Sequence, residues 1–109
     1  MNMASTKGYL DFILEQLSEL DGISWRAMMG EYILYDRGRV FGGIYDDRVL
    51  VKPVRAALRL MPDAPLELPY EGAKEMLLVE HVDDREVLCK LIGSMWEELP
   101  ERKAKNRKR

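Results

Sequence analysis

Apolar residues recur along this chain with two different spacings, and the change from one to the other marks out its elements. Leu10, Ile13, Leu14 and Leu17 fall at i, i+3, i+4 and i+7 and predict a helix over residues 9–20 that buries one face. Ser5 or Thr6 can cap its start, and Gly22 lies beyond its end. Val87, Leu88, Leu91, Ile92, Met95, Trp96 and Leu99 form a wider stripe and predict a second helix over residues 84–99. Asp83 and Glu86 have the spacing of a capping box before it, and Pro100 stops it. Between these helices the period shortens. Residues 26–52 read as an antiparallel meander, because runs of β-branched, aromatic and aliphatic residues are broken at Met29-Gly30, Asp36-Arg37-Gly38 and Asp46-Asp47, each able to reverse the chain.

Prolines organise the next stretch. Pro53 can open a short helix through Met61, since proline is tolerated in a first turn, and Pro62 limits that helix. Pro62, Pro65 and Pro69 remove amide donors, so residues 63–70 are expected to be irregular and to cover a sheet edge rather than join it. Met76–Val79 then supplies a last, mostly buried strand. The order predicts an α+β two-layer sandwich: a mainly antiparallel sheet of four to five strands with the N- and C-terminal helices on one face, α-β-β-β-(β)-α-β-α.

Composition adds limits rather than detail. A chain of 109 residues, 47% apolar and 33% charged, suits one domain with one core. Its single cysteine cannot form an internal disulfide, and no apolar run approaches the roughly 18 residues of a membrane helix. No secretory signal pattern opens the chain, so a cytoplasmic location is expected. The net charge of −2 hides an asymmetry: residues 101–109 carry six basic side chains and one acidic, leaving −7 on the remainder. The chain therefore divides into a domain over residues 1–100 and a basic tail over 101–109, expected to be disordered.

The glycine and aspartate placement within the meander is distinctive. Arg26-x-Met-x-Gly30, an aromatic-aliphatic strand, Asp36-x-Gly38, Val40-Phe-Gly-Gly43, a hairpin and Val49-Leu-Val-Lys52 together resemble the N-terminal domain of the TfoX/Sxy family of competence regulators. Pro69-Tyr70, the strand from Met76 and the terminal helix from Asp83 or Asp84 sit where that domain has its proline-aromatic turn, last strand and last helix, so the resemblance spans most of residues 5–99. Met29 and Glu31 depart from it, standing where the family usually has an aromatic and a second glycine. The resemblance implies a secretion-chaperone-like sandwich and a non-enzymatic regulatory module that engages a protein partner in transcription. A second departure is that full-length regulators carry a C-terminal domain, so a stand-alone N-terminal domain is expected here; the resemblance supplies no catalytic residues and no cofactor.

Chemistry argued from the side chains themselves is sparse. His81 is the lone histidine, which leaves no cluster with metal-ligand spacing and no Ser/His/Asp set without it. Cys89 lies beside the apolar stripe of the last helix, where a cysteine usually acts as a small hydrophobe. Asp46-Asp47 and Asp83-Asp84 have turn and capping explanations. Gly42-Gly43 marks a bulge or a close helix approach rather than a phosphate cradle. Arg26 and Lys52 bracket the meander and have no such explanation beyond pairing with a local carboxylate such as Glu31. They are the candidate partner-binding residues, and with a methionine-lined pocket from Met28, Met29, Met61, Met76 and Met95 they could instead form a small-ligand or enzyme site. Arg102, Lys103, Lys105, Arg107, Lys108 and Arg109 are the candidate nucleic-acid contacts, through salt-sensitive phosphate attraction. A free strand edge also allows a homodimer.

Overall fold

The computed structural model describes residues 5–101. In chain order these form α1 (Lys7–Gln16), β1 (Ile23–Met28), β2 (Glu31–Asp36), β3 (Arg39–Ile44), β4 (Val49–Val51), α2 (Arg55–Leu60), β5 (Leu66–Glu67), β6 (Met76–Leu78) and α3 (Arg85–Met95), followed by a 3₁₀ turn at Trp96–Glu98. The strands make one antiparallel sheet in the order β1-β2-β3-β4-β6-β5. One hydrophobic cluster joins Leu10, Ile13 and Leu17 of the first helix and Leu88, Leu91, Ile92 and Met95 of the last to Leu34, Phe41, Ile44, Val51 and Leu77 of the sheet. All three helices contribute to that cluster, so the chain folds as the two-layer α+β sandwich that its periodicity predicts.

The sheet has six strands, and the additional one lies in the proline-rich stretch. Leu66 and Glu67 pair with β6, and the Leu78 amide donates to the Pro65 carbonyl at 3.0 Å. Those prolines flank the two residues whose amides are free to bond, so this segment is an edge strand rather than an edge cover. Helix boundaries also shift. Thr6 caps α1 by accepting from the Tyr9 amide at 3.1 Å. Asp84 caps α3 by accepting from the Val87 amide at 3.1 Å, which puts the cap one residue beyond the expected Asp83 box.

The three hairpin turns share one conformation. Met29-Gly30, Arg37-Gly38 and Asp46-Asp47 all have positive φ at both central residues, the requirement of a tight turn whose twist matches its strands. The second turn is pinned from the helical layer: the guanidinium groups of Arg37 and Arg39 lie 4.4 and 3.8 Å from the Trp96 ring centre. Arg39 also donates to the Trp96 carbonyl at 3.0 Å and to Glu101 Oε2 at 3.3 Å.

Candidate functional site

Register decides which side chains leave the core. Ile44 pairs with Val49, Gly42 with Val51 and Leu34 with Gly42, and all of these but the glycine belong to the core cluster on the helical face. Side chains alternate across a strand, so Arg26, Tyr35, Val40 and Lys52 point to the opposite, open face. A register irregularity between Leu34 and Tyr35 leaves Phe41 as the extra residue, so Phe41 can join the core beside Gly42 while Val40, paired with Tyr35, points to the open face. Gly42-Gly43 lies beside it. A Cβ on Gly42 would overlap the Leu50 carbonyl oxygen and stand 2.8 Å from Val51 Cα; one on Gly43 would meet the Tyr45 ring at 2.7 Å. The close neighbours are therefore a strand and a tyrosine, not a helix.

On the open face, Arg26 and Lys52 line the same depression of about 330 Å³, together with Tyr35, Val40 and Glu101. Arg26 comes from β1 and Lys52 from just past β4, so their long side chains reach it from opposite sides of the meander. A second depression of about 360 Å³ adjoins it, sharing Val40 and Lys52 and continuing past Tyr45, Pro53, Pro69, Tyr70 and Met76. The two make one groove crossing the sheet. Lys52 is half-buried, and burial holds its ammonium pKa below the ordinary lysine value. The Tyr45 phenol is pushed up to about 12, chiefly by burial and then by Tyr70 and Glu31. Its ring sits 6.2 Å from that of Tyr70 at 55°, and Tyr70 is 56% exposed.

Pairing with Glu31 does not account for the two cations. Glu31 Oε1 accepts from the Ser5 amide at 3.2 Å, the Ser5 hydroxyl at 2.6 Å and the Asp46 amide at 3.2 Å. Among the described residues, the side chains of Arg26 and Lys52 have neither a hydrogen bond nor an ion pair. By contrast Arg48, in the β3–β4 connection, is paired with Glu67.

The other candidates disperse. His81 is exposed in the loop after β6, beside a smaller apolar cleft of about 210 Å³. The Cys89 thiol donates to the Gln16 carbonyl at 3.3 Å, and burial pushes its pKa up, away from a reactive thiolate. Asp47 serves the fold by accepting from the Thr6 amide at 2.9 Å. The alternative of a methionine-lined pocket does not form among the described residues: Met76 alone of the five lines the groove, Met61 lies at the cleft near His81, Met95 is in the core, and Met28 and Met29 stand at the first hairpin. They scatter because each follows the local demand of its own element. The candidate tail residues 102–109 lie outside the described residues. Among the described residues, no group of three His, Cys, Asp or Glu side chains is placed to hold a metal ion. Tyr35, Val40, Tyr45 and Tyr70 join the groove without being candidate site residues in the sequence. Tyr35 and Val40 were detectable as apolar positions out of phase with the core-facing ones.

A protein of Spirochaeta aurantia, the uncharacterised 12.7 kDa protein in the 5′ region of trpE, is 31% identical to this chain over 80 residues, covering 73% of the chain and 70% of that protein. The chain belongs to that protein's family. No family model matches the sequence, and no solved structure matches it. The likeness to TfoX/Sxy therefore stands on the motif residues alone.

Proposed function

We propose that this chain is a non-enzymatic interaction module, related to competence co-regulators, that engages an anionic protein partner through the open face of its sheet. The observation that carries this reading is the meeting of Arg26 and Lys52 in one groove, neither with a carboxylate of its own. An exposed arginine and a half-buried lysine lining one concavity, neither with an ion-pair partner, favour an anionic occupant there. The motif resemblance points the same way, toward a partner in transcription rather than a substrate. The test is complementation of a deletion strain, read as competence-gene transcript level. Wild-type protein is expected to restore it, and a folded Arg26→Glu/Lys52→Glu variant is expected not to. Unchanged transcription on deletion, or full rescue by the double variant, would remove the proposal.

Self-pairing is a second reading, favoured by β1. Among the described residues this six-residue strand pairs only with β2, and it has no proline to blunt its free edge. Two copies joined there would continue the sheet. Sedimentation that gives a monomer mass across micromolar concentrations would exclude it.

A further inference from the structure

The groove has a length and two chemically different ends. It runs from Arg26 on β1 past Val40 on β3 to Met76 on β6, four strand spacings in the sheet order, which is roughly 19 Å at about 4.8 Å per step. That matches about six residues of extended chain at about 3.3 Å each. Arg26 stands exposed at the β1 end, and Lys52 stands half-buried just past β4, three strand spacings along, where a carboxylate is attracted more strongly than on open surface. Beside Lys52, toward β6, Pro53, Pro69, Tyr70 and Met76 offer an apolar seat with an adaptable thioether in it, and Lys74 and Glu75 also line this part of the groove.

We infer that the groove takes an extended acidic peptide segment of the partner that also carries one apolar side chain, with its carboxylates at Arg26 and Lys52 and its apolar group against Tyr70 and Met76. The inference rests on the reading of the open face as the working surface and adds what the partner presents there. Charge complementarity selects an acidic segment. Two features select peptide over single-stranded nucleic acid. Tyr45 is only 5% exposed with its ring over Gly43, and Tyr35 is half-buried, so the groove lacks the succession of exposed rings on which bases stack. Glu75 and Glu101 also line it and would repel a backbone with a charge on every residue, whereas a peptide can space its carboxylates to avoid them.

The experiment selects a displayed library of random peptides about ten residues long on the full chain, with the Arg26→Glu/Lys52→Glu protein as counter-target. Enriched peptides and an oligothymidylate of about twelve nucleotides are then titrated by fluorescence anisotropy. Expected are peptides with two acidic residues about four positions apart and an aromatic or aliphatic residue about one or two positions beyond one of them. Their affinity is expected to fall about tenfold with Lys52→Glu, about threefold with Tyr70→Ala, and further with added salt. Lys52→Gln serves in place of the reversal if circular dichroism shows that the reversal does not fold. The inference is overturned by no enrichment, by enriched peptides without acidic residues, by affinity indifferent to Lys52, or by tighter binding of the oligothymidylate. If the peptides fail while transcriptional rescue still requires Arg26 and Lys52, the peptide chemistry is wrong and the broader functional reading survives.

Discussion

Replacing Glu31 by alanine should loosen three parts of the molecule at once. Its Oε1 receives the amide and hydroxyl of Ser5, just before α1, and the amide of Asp46, at the β3–β4 turn, while Glu31 itself begins β2. The knot is tightened by the Asp47 amide, which donates to Ser5 Oγ at 3.1 Å. Each such bond is worth about 1 kcal/mol net, more where the acceptor is charged, but Glu31 is half-buried and water can replace part of what is lost. We expect Glu31→Ala to cost about 2–3 kcal/mol and to lower Tm by roughly 10–20 °C for a domain of this size. Glu31→Gln keeps an oxygen acceptor and should cost about half as much. Urea unfolding followed by far-UV circular dichroism measures both. Because Ser5→Ala keeps the amide and removes only the hydroxyl donor, the two substitutions share one hydrogen bond, and Ser5→Ala combined with Glu31→Ala should fall short of additivity by about 1 kcal/mol. A loss below about 0.5 kcal/mol in Glu31→Ala, or strict additivity of the pair, would mean that the knot does not hold these segments.

Three further outcomes test other parts of the structure. Gly42→Ala should cost more than about 3 kcal/mol or prevent folding, because the new methyl meets β4 backbone that cannot yield without parting two strands; near-wild-type urea stability would contradict the close approach. The Tyr45 phenol has a folded pKa of about 12 against 10.0 when exposed. Its contribution is fully present below pH 10 and is lost as pH rises through 12, so wild type should lose about 2–3 kcal/mol over that window relative to Tyr45→Phe, measured by urea unfolding of both at several alkaline pH values. Met29 is 94% exposed at φ +53°, so Met29→Asn should raise stability by several tenths of a kcal/mol in thermal melts, and a decrease would assign the methionine a contact.

The elements legible in the sequence were those whose signals are local. The stripes of α1 and α3 appear because burial of one helix face imposes a period on nearby residues, and the hairpins appear because positive φ demands particular residues at two adjacent positions. Leu66-Glu67 was hidden by the prolines around it, since what recruits those residues is the free side of β6 rather than their own propensity. The Asp84 cap differed from Asp83 by one residue, within the fraying that any helix end permits. At the site, Arg26 and Lys52 stand out in the sequence as charges bracketing the expected meander, although β1 begins at Ile23 and places Arg26 within an exposed strand rather than at its end. Their meeting was not legible: it depends on a four-strand register and on Glu31 being occupied by Ser5, 26 residues away in sequence. Tyr70 reaches the groove from an irregular loop, for which no period gives warning.

The grip of Arg39 on Trp96 and Glu101 ties the end of the described chain to the sheet. Glu101 lines the same depression as Arg26 and Lys52. One arginine lying across a tryptophan ring therefore joins the rim of that depression to the end of the helical layer, so that loosening the ring would be felt at the open face.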